Sequence, residues 1–161
     1  MTAAEAETIL QYYADIPKRR RAVLLERAEL EAQYSPLRGN ALDGMPHASG
    51  NSDGTADQAL RMTEKDTARR LGELDVLDDV LADDRAAVRS VLDRLKHQHK
   101  ELLKARYIDG HTWELTACRV GLSRRQTIRV SVVALTRFGV LLEELPMEAE
   151  ILARARDAGA L

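Results

Sequence analysis

Apolar residues recur at every seventh position near the start of the chain, within residues 3–34. The repeated positions are Ile9, Ile16, Val23 and Leu30. A narrow apolar seam of this period predicts a long helix that packs against another helix. Pro17 falls inside the pattern and predicts a kink or a restart near Ile16, with Asp15 as the N-cap of the second piece.

A second seam of the same period covers residues 55 to about 94. Its positions are Leu60, Thr67, Leu74, Leu81, Val88 and Leu95. Between the seams, residues 36–54 are rich in glycine and proline and show no periodicity, which predicts a loop. The two helices therefore predict a hairpin that dimerises through its apolar seams. A monomeric bundle, in which the seams face only each other, is the alternative.

Short helices separated by small residues replace the long seams in residues 102–142. Residues 113–120 predict a short helix that has Thr112 as its N-cap. Gly121 follows at the end of this helix, where the backbone often becomes left-handed, a conformation that glycine adopts at the lowest cost. Ser123 is then a good N-cap for the next helix. Leu102 to Ile108 predict a preceding helix, which ends before Gly110.

The helix that follows Ser123 is predicted to have two different sides. The basic and polar side consists of Arg124, Arg125, Gln126, Ile128 and Arg129. The other side consists of Thr127, Val130, Ala134 and Leu135. We expect the second side to pack on the preceding helix, where the small Ala117 permits a close crossing. The basic side is then free to enter a major groove of DNA.

Residues 106–135 resemble domain 4 of bacterial sigma factors and sigma-like phage regulators. The matching positions are Arg106, Tyr107, Gly110, Trp113, Ala117, Gly121, Ser123, Arg124, Ala134 and Leu135. Thr116 and Thr127 stand where those proteins usually have an aliphatic residue. The resemblance implies that the segment is a helix-turn-helix.

The glycine-rich segment from Gly44 to Thr55, between two long charged helices, is similar to that of the RinA/ArpU-like phage transcriptional regulators. With the apolar pattern, this resemblance implies an all-α fold, in which a long coiled-coil-like N-terminal hairpin precedes a sigma domain 4-like helix-turn-helix. The boundaries we predict are an oligomerisation arm in 1–95, a DNA-binding domain in 96–145 and a short C-terminal helix in 146–161. The resemblance also implies control of phage or prophage genes, with host RNA polymerase as a further partner.

The side chains that we expect to touch double-stranded DNA fall into three groups. Arginine can fork onto guanine, glutamine onto adenine, and an isoleucine can touch a thymine methyl. We assign these base contacts, and a phosphate contact at the start of the helix, to Ser123, Arg124, Arg125, Gln126, Ile128 and Arg129. Thr112 and Trp113 are candidates for the DNA backbone, with a packing role as the alternative for Trp113. Weaker phosphate candidates are Lys104, Arg106 and Arg119.

Charge is distributed unevenly along the chain, although the net charge is only −2. Residues 96–142 are basic, and their only acids are Glu101, Asp109 and Glu114. The middle helix has the opposite character and includes Asp75, Asp78, Asp79, Asp83 and Asp84. A basic region beside an acidic one favours a DNA-binding protein whose other part faces a protein partner.

No pattern in the chain points to catalysis. Paired carboxylates, a nucleophile with its base, a metal set and a phosphate loop are all missing at usable spacing, so we expect no enzyme, cofactor or metal. A lone Cys118 and the lack of a signal peptide or membrane-length apolar run lead us to expect a cytoplasmic protein without membrane contact. Two other functions remain open: a DNA-packaging small subunit of a phage, and a sigma-like module that binds RNA polymerase.

Overall fold

The computed structural model describes residues 1–39 and 54–159, and the side chains of residues 1–32 and 63–159. These residues form helices and no strand, which confirms the predicted all-α class. The helices are α1 (Ala3–Gly39), α2 (Gly54–Asp93), α3 (His97–Leu103), α4 (Trp113–Val120), α5 (Arg124–Leu142) and α6 (Glu148–Gly159). A π-helical turn, Lys104–Ile108, continues α3.

Helix α1 runs without a break through Pro17, so the predicted restart at Ile16 and the capping role of Asp15 are wrong. Proline inside a helix costs about 3 kcal/mol, mainly through a lost hydrogen bond and a clash with the preceding turn. Pro17 is itself exposed, whereas Ile9 and Ile16 are fully buried. Burial of two such side chains contributes roughly 3–6 kcal/mol, which is enough to offset the proline.

Both ends of the segment predicted to be a loop, residues 36–54, are helical. Helix α1 extends to Gly39 and α2 begins at Gly54, so the start of the loop at Pro36 is wrong. Residues 40–53 lie outside the described residues, and they include most of the segment on which the resemblance to RinA/ArpU-like regulators rests.

The chain divides into two compact units. Unit 1 consists of Met1–Pro17 and Leu81–Leu161, and unit 2 consists of Lys18–Val80. Unit 1 thus contains the predicted DNA-binding region together with the first residues of α1, the last turns of α2 and the C-terminal helix α6. The sequence pattern had placed the boundaries at residues 95 and 145.

In unit 2, α1 and α2 are joined by ion pairs in an antiparallel order. Arg20 donates two hydrogen bonds to Asp78, at 2.7 and 2.8 Å. Further pairs link Arg27 to Asp75 at 2.8 Å and Arg70 to Glu26 at 2.6 Å. The hydrogen bonds from Arg20 lower the pKa of the Asp78 carboxyl. Val23 and Leu74 are buried, as the two seams predict.

Unit 1 has the larger core. Its fully buried large side chains include Ile9, Leu10, Val88, Val91, Leu102, Leu103, Phe138, Leu142 and Ile151. One carboxylate is enclosed with them, because Asp84 of α2 is fully buried. It accepts a hydrogen bond from the Tyr12 hydroxyl at 2.8 Å and two from Arg154 at 2.8 and 2.7 Å. This network ties α1, α2 and α6 together.

Candidate nucleic-acid interface

The connection between α4 and α5 has the capping residues that the sequence predicts. The Thr112 hydroxyl accepts a hydrogen bond from the Leu115 amide at 3.3 Å and begins α4. Gly121 ends α4 in the left-handed conformation, with φ of 69°. Ser123 begins α5 with a reciprocal cap: its hydroxyl accepts from the Gln126 amide at 3.3 Å, and the Gln126 Oε1 accepts from the Ser123 amide at 3.1 Å. The direction in which α5 leaves the turn is therefore fixed locally.

Replacing Gly121 with alanine is expected to destabilise unit 1 by about 1 kcal/mol, because the left-handed backbone conformation is unfavourable for a residue that has a Cβ. A Cβ at this position would meet no atom within 4 Å, so the cost comes from the backbone alone. Urea unfolding followed by fluorescence of Trp113, the single tryptophan, measures the change in unit 1. Gly121→Asn is the matched control and should lose less, because asparagine tolerates this conformation. Equal losses in the two variants would contradict the backbone explanation.

Two buried threonines stand where sigma-like proteins usually have aliphatic residues. Thr116 and Thr127 are both fully buried. The Thr116 hydroxyl donates to the Thr112 carbonyl at 2.8 Å, and the Thr127 hydroxyl donates to the Ser123 carbonyl at 3.0 Å. Each polar group is satisfied within its own helix, so the remaining methyl group can pack as an aliphatic residue does. Close packing of α4 on α5 is retained, with Ala117 and Ala134 buried.

Helix α5 separates its residues into an exposed side and a buried side, as predicted. The first turns carry the exposed residues Ser123, Arg124, Arg125, Gln126, Ile128 and Arg129, which we call the reading segment. On the other side, Thr127, Ala134 and Leu135 are buried, and Val130 is half-buried. The structure thus brings six of the predicted site residues together at one end of one helix.

The arginines of the reading segment differ in their partners. Arg124 pairs with Glu114 of α4 at 3.1 Å, and both side chains are 64% exposed. A surface ion pair of this kind contributes about 0–1 kcal/mol, so a phosphate can replace the carboxylate at little cost. Arg125 and Arg129 are exposed, and neither pairs with a carboxylate among the side chains that the structure describes. Their donors are available to an incoming ligand.

Three candidates from the other two groups, Arg106, Trp113 and Arg119, make contacts inside unit 1. Arg119 pairs with Asp109 at 3.0 Å and with Glu101 at 3.6 Å. Arg106 donates to the His111 carbonyl at 2.8 Å, and its guanidinium lies 4.6 Å from the centre of the half-buried Trp113 ring. Such stacking is favourable and orients both groups. These side chains hold the turn before α4.

The remaining candidates, Lys104 and Thr112, are exposed and lie outside the reading segment. Lys104 lines a cavity whose other basic side chains are Arg85, Arg89 and Lys100, and no residue of α5 contributes to its wall. Nearby, burial raises the pKa of the Tyr107 phenol in the π-helical turn.

Sequence reasoning missed the stacking of Arg106 on Trp113 and the two acidic partners of Arg119. The first pair is separated by the turn at Gly110, so no helical spacing relates them. Asp109 and Glu101 lie on different elements from Arg119, and only the fold brings the three side chains together.

Comparison with protein-family models, curated proteins and solved structures finds no match to this chain. These comparisons neither support nor contradict the resemblance to phage regulators.

The described residues contain neither a metal-binding cluster nor a membrane-spanning helix. Nowhere in residues 1–39 and 54–159 do three or more His, Cys, Asp or Glu side chains gather in a way that would hold a metal ion. In the same part of the chain, no helix is both long and apolar enough to span a membrane.

Proposed function

We propose that the protein is a sequence-specific DNA-binding transcriptional regulator of phage or prophage genes. In this proposal α4 and α5 form a helix-turn-helix, and α1 with α2 forms a coiled-coil-like hairpin arm. The observation that carries the proposal is the pair of exposed arginines, Arg125 and Arg129, on the first two turns of a firmly capped helix. Unpaired arginines are suited to guanine edges and phosphates.

The start of α5 would enter the major groove, with Arg125 and Arg129 in reach of base edges and Ile128 in reach of a thymine methyl. Gln126 has a different role in the free protein, because its Oε1 already accepts hydrogen bonds from Ser123. Reading adenine requires both the oxygen and the nitrogen of the amide. We therefore assign Gln126 to the helix start, where the first backbone amides of α5 can hold a phosphate.

The arm would pair two copies of the protein. Its support is an apolar surface in unit 2, where Leu24, Leu25, Val76 and Leu77 are 50%, 59%, 64% and 44% exposed. A dimer would cover these side chains and place two reading segments on one duplex. Native mass tests this assignment: a dimer supports it, a monomer contradicts it, and a larger ring favours a DNA-packaging subunit.

Binding to fragments of the neighbouring genome, at several salt concentrations, tests the proposal. We expect tight binding to one fragment and weaker, strongly salt-dependent binding to the others. The variant Arg124→Ala/Arg125→Ala should lose the preference for that fragment. Its matched control, Arg21→Ala/Arg69→Ala, removes two exposed charges from unit 2 and should retain the preference. Equal binding to all fragments by the native protein would overturn the proposal.

A second candidate is a protein-binding module that docks on RNA polymerase. Apolar side chains on the later turns of α5 favour it, because Val132, Val133 and Val140 are exposed. Such residues are suited to a protein interface more than to a phosphate backbone. Weak, salt-insensitive DNA binding combined with retention of purified polymerase would favour this candidate over the first.

A further inference from the structure

A cavity of about 440 Å³ lies in unit 1, between the α2–α3 connection and the later turns of α5. Its wall consists of Arg94, Leu95, Lys96, His99, Val133 and Arg137. None of these residues belongs to the reading segment, so the cavity is a separate place on the molecule. Its volume falls within the range of small-molecule sites, which is roughly 300–1,000 Å³.

The wall of this cavity contains four basic side chains and no carboxylate. Lys96 and Arg137 are exposed and pair with no acid among the described side chains. Arg94 is held by Glu144, which lies outside the wall, at 2.5 Å. Lys96 and Arg137 therefore contribute positive charge that no acid in the wall balances, and this charge would attract a bound anion.

His99 adds a second, independent indication. Its Nδ1 is buried and has no hydrogen-bond partner within the described part of the chain. A buried polar atom without a partner costs roughly 1–3 kcal/mol, so proteins seldom leave one unmatched. The His99 ring lines the cavity, so rotation of this side chain would bring the nitrogen to a ligand oxygen that accepts its hydrogen bond and removes the cost.

Another cavity of unit 1, of about 290 Å³, provides a useful contrast. It also has basic residues, but Asp93 lies in its wall and Lys100 bonds to it at 2.7 Å. That hydrogen bond lowers the pKa of the Asp93 carboxyl, which is thus kept as an internal counter-ion. The larger cavity has no such acid in its wall.

We propose that the cavity lined by Arg94, Lys96, His99 and Arg137 binds a phosphate group. Phosphate has several acceptor oxygens and up to two negative charges, which match guanidinium and ammonium donors that approach from different sides. The apolar Leu95 and Val133 leave part of the wall free for the group that the phosphate is attached to. That group is either a free phosphorylated small molecule or the backbone of bound DNA.

The test uses the full-length protein and inorganic phosphate as the first probe. Methyl signals of Val133 and ring signals of His99, followed by NMR, should shift and saturate as phosphate is added. The variant Lys96→Gln/Arg137→Gln should weaken this binding by roughly tenfold or more, since it removes two charge-assisted contacts. Neither change should disturb the fold, because both side chains are exposed and Lys96 makes no capping hydrogen bond.

The control Arg21→Gln/Arg69→Gln removes the same charge from unit 2 and should change phosphate binding by less than about twofold. No residue of the reading segment lines the cavity, so this site can be present even if the proposed function fails. Saturable binding of free phosphate that depends on Lys96 and Arg137 identifies a small-molecule site.

The second part of the test asks whether the phosphate group belongs to the backbone of bound DNA. If it does, free phosphate causes no shift of the NMR signals. The variant Lys96→Gln/Arg137→Gln instead lowers the dependence of DNA affinity on salt by about one ion per lost contact. The control Arg21→Gln/Arg69→Gln should leave that dependence unchanged. If phosphate causes no shift and the salt dependence is the same in all three proteins, the proposal is overturned.

Discussion

Replacing Arg125 with alanine is expected to weaken binding to the specific DNA site by roughly 1–3 kcal/mol and to relax the base preference at one position. The side chain lies on the first turn of α5, is exposed and has no acidic partner among the described side chains. Its loss therefore removes a contact to DNA without breaking one inside the protein. Competition binding with duplexes that carry each of the four bases at every position measures both effects.

Arg125→Lys is the matched control for this prediction. Lysine keeps the positive charge but lacks the planar fork that pairs with guanine. We expect it to retain affinity for unrelated DNA and to lose the same base preference as the alanine variant. If Arg125 touched only a phosphate, the alanine variant would weaken all sequences equally and lower the salt dependence by about one ion. That result would contradict its role as a reader of bases.

The local features of the candidate site were predictable because they depend on short-range chemistry. Thr112 and Ser123 cap helices through their own side chains, and Gly121 takes a backbone conformation that few other residues accept. The two sides of α5 follow from the period of the helix alone. The seams of α1 and α2 were predictable for the same reason, and Ile9, Val23, Leu74 and Val88 are all buried.

Tertiary partners could not be predicted in this way. The aspartates of α2 formed an acidic region in the sequence, and this region was expected to face a protein partner. In the structure Asp75 and Asp78 pair with arginines of α1, and Asp84 is buried in the core. Much of the acidic charge thus stabilises the fold. The prediction at Pro17 was wrong for a related reason, because the burial of Ile9 and Ile16 outweighs the local penalty of the proline.

Asp84→Ala is expected to lower the free energy of unfolding of unit 1 by about 3 kcal/mol, the lower end of the range for breaking a buried ion pair. The carboxylate is fully buried and accepts three hydrogen bonds, one from Tyr12 and two from Arg154. Without it, the Tyr12 hydroxyl and the Arg154 guanidinium lose these hydrogen bonds, although Arg154 keeps its pairing with Glu150 at 3.5 Å. Arg154 is 32% exposed and recovers some hydration, which keeps the loss at the lower end.

Urea unfolding followed by the fluorescence of Trp113 measures this loss, since the single tryptophan lies in unit 1. A double-mutant cycle with Arg154→Ala supplies the control. In Arg154→Ala, the buried Asp84 carboxylate keeps only the Tyr12 hydroxyl of this network as a donor. We therefore expect a loss of unfolding free energy at least as large as that of Asp84→Ala. The double variant Asp84→Ala/Arg154→Ala removes both charges and should lose much less than the sum of the two single changes. Additive losses would show that the two residues act separately and would contradict the network as the link between α2 and α6.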